Sequence, residues 1–399
     1  MKAEAKKKLT ETMDRLMRIG FDDVVEQGGK VWLVGGFVRD AMLGRESKDI
    51  DVVIDRLPMN GIFDILERRG KVDIVGKSFA VLKFTVDDET IDVAVPRKDI
   101  HDGSGTHRGV AVSTEGVGMY EDMLRRDFTI NAMAFNGDLF DITGGEYDIF
   151  NKVIRCVDEA VFAEDPLRLL RAVVFSARFG FEISGDTMKL LKDNVGLIKN
   201  EPGERIMSEL EKILDHGGDI GMLVNTLMET HMYGEMFRSY ACRPYSGESV
   251  EGMTRADFFY SVLSNAMDPK RLFLTYMRGD TVTAKEIDML TSISLYEQFA
   301  DGKRQSRRHT AQIALDGAPG LLHSKVMMSK YPDVMPDFVS GRYPKNRLDL
   351  AVNGHDLMEI GVKNIDIAFV QNKLLDMILS DALSNERKEL LNAAKTIIR

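Results

Sequence analysis

From about residue 30 to about residue 135 the chain alternates two kinds of text. Short β-branched runs, "KVWLVGG", "DIDVVID", "KVDIVG", "FAVLKFTV" and "ETIDVAVP", read as strands, and "FVRDAML" and "MNGIFDILERRG" between them read as helices. This text predicts a mixed α/β domain whose strands bury at least one face. After about residue 150 the pattern changes to apolar residues at helical spacing, as in "DPLRLLRAVVFSARF", "GDTMKLLKDNVGLI", "ERIMSELEKILDH" and "NKLLDMILSDAL", so the remainder is predicted to be all-helical. With 399 residues, 44% of them hydrophobic, the chain can bury a sizeable core and divide into several domains.

The bulk numbers exclude little else. The N-terminal text is charged and helical in period, with no export-type apolar region, and no apolar run reaches the length of a membrane span. Cys156 and Cys242 are the only cysteines and lie far apart, which argues against structural zinc and fits a reducing, cytoplasmic setting without a membrane partner. A net charge of −10 governs solubility and steering but does not exclude a nucleic-acid partner, which needs only a local basic surface. Basic clusters occur at Arg125 and Arg126, at Arg168, Arg171 and Arg178, and from Lys303 to His309. The last also reads as a solvated loop or helix start.

Within "GRESKDIDVVI", strand alternation sends Ile50, Val52 and Ile54 one way and Asp49, Asp51 and Val53 the other. Two carboxylates on one face repel unless a cation lies between them, and oxygen-only ligands suit Mg²⁺. A polar strand face facing solvent explains the pair equally well. In "ETIDVAVPR" Asp92 takes the corresponding position on a second strand. Upstream, Gly35 and Gly36 stand between a strand and a helix, which is either an ordinary turn or a place where backbone amides approach an anion. A GxGxxG spacing is missing, which disfavours a dinucleotide-dependent oxidoreductase.

The ordered set "LVGGFVRDAMLGRESKDIDVVID", "RRDFTINAMAF", "DITGGEYDIFNKVIR", "AEDPLRLLRAVVFSARFGF" and "ERIMSELEKIL" resembles the motif series of the class II (bacterial-type) tRNA nucleotidyltransferase and poly(A) polymerase family, over about residues 30 to 215. The resemblance implies a DNA polymerase beta-like α/β head with a mixed sheet, followed by an all-α neck, body and tail. The expected divisions are 1–148 for the head, 149–220 for the neck, and 221–399 for the body and tail that bind tRNA. It implies two-metal nucleotidyl transfer with both Mg²⁺ ions held by Asp49 and Asp51, and Asp92 in support. Nucleotide phosphate and sugar are expected to meet Gly35, Gly36, Arg39, Arg125, Arg126, Asp127 and Asn131, with Asp127 reading the ribose 2′-hydroxyl. A structural alternative makes Asp127 the N-cap of a helix "FTINAMAF".

Base choice falls by the same resemblance to Glu164, Asp165, Arg168 and Arg171. A carboxylate that accepts and a guanidinium that donates match the edges of cytosine and adenine and mismatch uracil. Asp165 before Pro166 is also a good helix start. The stretch from Asp99 to Gly118, rich in Gly, Ser and Thr, reads as a mobile loop with a possible strand at Val110–Val112. "VGKSFAVLKFTV" is closer to the text of CCA-adding enzymes than to that of bacterial poly(A) polymerases, and "VNGHDLMEIGV" is similar to the family's tail element. The expected partners are therefore the tRNA 3′ end and acceptor arm, with CTP and ATP as substrates, for a monomer or homodimer. CC-only addition, A-only addition, poly(A) synthesis and a catalytically inactive RNA-binding protein are the rival readings.

Overall fold

The structure is a computed structural model that describes residues 1–47, 49–75, 81–101, 110–237, 249–264, 266, 268–299 and 307–397. Most of the cluster from Lys303 to His309 and the centre of the 99–118 stretch lie outside the described residues. The chain divides into two compact units, one of residues 1–201 with 225–236, the other of 202–224 with 237–399.

The first unit is built on one sheet. Its strands are β1 (Lys30–Val34), β2 (Ile50–Asp55), β3 (Lys71–Val75), β4 (Val81–Val86), β5 (Glu89–Ala94), β8 (Met133–Asn136) and β9 (Asp138–Asp141). They lie in the order β3-β4-β5-β2-β1-β8-β9. Only β2 and β5 pair in parallel; every other neighbour is antiparallel, so the sheet is mixed, as expected. Helices α1 (Ala3–Leu16), α2 (Asp22–Glu26), α3 (Gly35–Met42) and α4 (Met59–Leu66) cover one face. In α1 the buried residues Ala5, Leu9, Met13 and Leu16 follow the helical period, and they join Ile50, Val52 and Ile54 of β2 in a single core. The opposite face carries a smaller cluster of Trp32, Val34, Val53, Met119, Met123, Ala132 and Ala134. It includes α5 (Met119–Leu124), and Asp51 points to this side.

Three expectations need correction. "FTINAMAF" is not a helix: Thr129–Asn131 makes one tight turn and β8 follows, pairing with β1 through Leu33 opposite Phe135 and Val34 opposite Ala134. Met133 and Phe135 enter one core and Ala132 and Ala134 the other, so this text has no polar face and no alternation to reveal a strand. Within the 99–118 stretch, β6 (Lys98–His101) and β7 (Val110–Ser113) pair as an antiparallel ladder, which confirms the strand at Val110–Val112 but replaces an aperiodic start with a second strand. The region after 150 is mostly, but not wholly, helical, because β10 (Val153–Ile154) and β11 (Glu182–Ile183) form a short parallel pair.

Helix α6 (Gly145–Asn151) precedes β10, and α7 (Glu159–Glu164) and α8 (Leu167–Phe179) run between β10 and β11. Helix α8 buries nine of its thirteen residues and ends at Gly180, whose φ of 67° supplies the left-handed terminus while the N–H groups of Gly180 and Phe181 close on the Ser176 carbonyl.

The second unit is helical, around a core that runs from Leu290 and Ala311 to Leu390 and Ala394. Asp257, fully buried, accepts from the Thr254 and Lys325 N–H groups and from the Ser324 hydroxyl, tying the starts of helices Arg255–Leu263 and Lys325–Lys330 together. Among the described residues no helix is long and apolar enough to cross a membrane.

Candidate active site

The carboxylates at the start of β2 come first. Asp49 is exposed and stands one residue before the strand, while Asp51 is part-buried within it. The parallel register sets Asp51 level with Asp92 on β5. Asp92 is 43% exposed and pairs with Lys83 of β4 at 3.1 Å. Burial pushes the Asp51 carboxyl up to about 6; Asp92 and Asp49 add to the rise, and Arg126 and Arg39 only partly oppose it. The strand thus holds a carboxylate short of positive charge, among oxygen donors alone, and that donor chemistry fits a hard divalent cation completed by further oxygen ligands. Among the described residues no group of three or more His, Cys, Asp or Glu side chains is arranged to hold a metal. Two carboxylates, not a closed cage, are what the chain offers there.

The glycine turn faces the same place. Gly35 has φ 64°, and a Cβ there would lie 2.7 Å from Arg126 Nη1 and 3.9 Å from Asp51 Oδ2. A side chain would therefore strain the backbone and displace the arginine. Arg126 is held by Asp122, one turn earlier on α5. The Asp122 carboxylate is fully buried, accepts from Arg125 through Nε at 2.9 Å and Nη2 at 2.6 Å, and accepts from Arg126 through Nη2 at 3.0 Å. These two guanidiniums hold its carboxyl below the ordinary range against the effect of burial. Asp122 was not singled out from sequence, although its spacing of three and four residues from the arginines is the signal of a helical ion pair.

A polar chain then crosses to α8. Arg39 of α3 is 6% exposed; it donates to Asp40 through Nε at 2.8 Å and Nη2 at 2.9 Å, and to Asn131 Oδ1 through Nη1 at 2.6 Å. Asn131 Nδ2 donates to Asp127 Oδ1 at 2.9 Å, and Asp127 Oδ2 accepts from Arg171 Nη2 at 2.6 Å and Nε at 2.9 Å. The Asp127 side chain is 11% exposed, and burial alone would raise its carboxyl. Arg171 and Asn131 reverse that and bring it down to about 2. The Arg39 guanidinium also lies 4.8 Å from the Phe179 ring centroid and 5.4 Å from that of Phe175; desolvated contacts of this kind are worth about 2 kcal/mol.

A second clamp fixes the same turn from below. Asp148 of α6, 1% exposed, accepts from Thr129 Oγ1 at 2.7 Å and from Arg155 Nε at 3.0 Å, while the Thr129 N–H donates to the Arg155 carbonyl. On α8, Asp165 precedes the helix, and its carboxylate accepts from the Leu167 N–H at 3.2 Å, so the capping role expected of it is present. Arg168 Nη2 donates to the Arg125 carbonyl at 3.2 Å. The Glu164 side chain lies outside the described residues. The sequence-predicted residues Asp51, Gly35, Arg126, Arg39, Asn131, Asp127 and Arg171 are brought into one connected neighbourhood. Asp40, Asp122, Asp148, Phe175 and Phe179 join it without having been expected.

Residues 31–155 match the poly A polymerase head domain, and residues 180–242 match the probable RNA- and SrmB-binding site of polymerase A. The chain is 34% identical over 193 residues to an A-adding tRNA nucleotidyltransferase of Aquifex aeolicus, covering 46% of this chain and 23% of that protein. It is 35% identical over 223 residues to a CCA-adding enzyme of Bacillus pumilus, covering 53% and 52%. The chain therefore spans about half or less of the length of these curated relatives. The crystal structure of the Bacillus stearothermophilus CCA-adding enzyme in complex with CTP shares the fold, with a TM-score of 0.71 at 21% identity over 100% of this chain and 98% of that one. In its head and in the segment after it, the chain matches the poly A polymerase domain models and is similar to class II tRNA nucleotidyltransferases.

Proposed function

We propose that the protein is a template-independent nucleotidyltransferase that adds C, C and A to the 3′ end of tRNA from CTP and ATP, with release of pyrophosphate. The observation that carries this reading is the meeting of Asp51, Gly35 and Arg126, an undercompensated carboxylate beside a bare backbone turn and a held guanidinium. Relatives named as CCA-adding and A-adding enzymes support the choice of reaction. Asp49 and Asp51 would hold Mg²⁺, with Asp92 in support. When bound, the metal lowers the pKa of the attacking 3′-hydroxyl and stabilises charge on the transferred phosphoryl group.

The chain's own residues do the rest. Gly35 and Gly36 let backbone approach the triphosphate, and Arg125 and Arg126, oriented by Asp122, meet its charge. Asp127 is assigned to reading the ribose 2′-hydroxyl. Glu164, Asp165, Arg168 and Arg171 are assigned to the choice of base. We keep the division into a head at 1–148, a neck at 149–220, and a body and tail at 221–399 that engage tRNA by shape, and we assign the protein to the cytoplasm.

The test is direct. Purified protein, Mg²⁺ and tRNA transcripts ending at the discriminator base, at -C or at -CC are supplied with labelled CTP, ATP or UTP, separately and together. Growth that stops at CCA is expected, and Asp49→Ala or Asp51→Ala should abolish it while tRNA binding persists. Long A tails on unrelated RNA would refute the reading, and growth that stops at CC, or that adds A only to -CC, would narrow it.

A further inference from the structure

Arg39 follows the glycine turn and would ordinarily be counted among the groups that meet the triphosphate. Its surroundings point elsewhere. The guanidinium is 6% exposed; three of its donors are engaged, two by Asp40 and one by Asn131, and the rings of Phe175 and Phe179 lie against it. Those two rings stack on each other at 5.6 Å with an interplanar angle of 11°, and both belong to α8, so the contact holds α3 to the helix that carries Arg168 and Arg171.

The bond to Asn131 has a directional consequence. A guanidinium only donates, so it fixes the Asn131 amide with its oxygen toward Arg39 and its NH₂ toward Asp127. Asp127 Oδ1 then receives the Asn131 amide and the Phe128 N–H, while Oδ2 is left for the fork of Arg171. The order of donors and acceptors along Arg39, Asn131, Asp127 and Arg171 is therefore set at one end by a single residue that lies on another element.

We propose that Arg39 is a positioning residue for base selection, which fixes the Asn131 amide and through Asp127 the setting of Arg171 on α8. This rests on the nucleotidyltransferase reading. A phosphate ligand and a positioning residue differ in what their loss does. Phosphates are common to every nucleotide, so loss of a phosphate contact weakens CTP, ATP and UTP alike. Loss of a positioning contact changes the ratio between them.

The experiment is steady-state addition to a tRNA transcript lacking CCA, with CTP, ATP and UTP each varied at saturating Mg²⁺, for the wild type, Arg39→Lys and Asn131→Asp. Arg39→Lys keeps the charge but loses the fork. Asn131→Asp keeps a partner for Arg39 but sets a carboxylate against Asp127. Both should lower the preference for CTP over UTP about tenfold or more, chiefly through KM, with the Mg²⁺ dependence unchanged. An equal loss for all three nucleotides in folded Arg39→Lys would overturn the proposal. If Arg39→Lys fails to melt cooperatively, Asn131→Asp decides, and unchanged selectivity there overturns it. A wild type that adds no nucleotide to any transcript would instead sink the reaction on which the proposal rests.

Discussion

Asp51→Asn should make the metal-free protein more stable. The Asp51 carboxyl titrates near 6 in the folded chain against an ordinary 3.8, because burial and the neighbouring Asp92 and Asp49 outweigh Arg126 and Arg39. At about 1.36 kcal/mol per pKa unit this is about 3 kcal/mol of unfavourable charge held in the native state above pH 6. The folded state binds the proton more tightly than the unfolded one. The wild type therefore loses stability as pH rises from 3.8 to 6, and the cost is complete above that window.

An amide of the same shape carries no such cost. Trp32 is the only tryptophan, it is 8% exposed, and it lies in the same sheet, so its fluorescence reports unfolding of this unit. In EDTA at pH 7.5 the urea midpoint of Asp51→Asn should lie about 1 M above that of the wild type, and the gap should close as the pH is lowered to 4. Mg²⁺ should raise the wild-type midpoint and leave the variant unmoved. A variant no more stable than wild type at pH 7.5, or a gap indifferent to pH, would refute the account of this carboxylate as undercompensated.

Three further outcomes follow from the same geometry. Gly35→Ala, at φ 64° and with its Cβ 2.7 Å from Arg126 Nη1, should destabilise by about 1–2 kcal/mol and cut nucleotide addition far more than that loss of folding explains, as read from melting beside single-turnover rates. Asp122→Ala should raise KM for both CTP and ATP with a smaller effect on kcat, since it frees the two guanidiniums that it orients. Asp127→Asn should lower stability by about 2 kcal/mol at neutral pH. Its folded pKa of about 2 is depressed, so the contribution is present above 3.8 and is lost as pH falls toward 2, where acid titration of the two proteins should converge.

What was legible in the sequence follows from how each residue is used. Strands β2 and β5 showed themselves because one face is apolar and the other carries Asp51 and Asp92, and that same contrast marked the candidate metal pair. Strand β8 did not show, because both of its faces are buried. Gly35 was visible as half of a glycine pair, but its role against Arg126 depends on a contact across 91 positions that no local pattern carries. Asp40 and Asp122 read in the sequence only as local charge pairs, a pattern common on solvated surfaces. Phe175 and Phe179 read as core residues of α8, and only the arrival of Arg39 gives them a second use.

That arrival has a consequence for the order of synthesis. Asn131 leaves the ribosome 92 residues after Arg39, a delay of about 5–20 seconds at ordinary elongation rates. Phe175 and Phe179 come later still. Throughout that interval a cation bound for the interior has one of its final partners, Asp40, the next residue made. A product released before residue 131 would carry a half-paired charge beside uncovered strands, and would be expected to aggregate or be degraded.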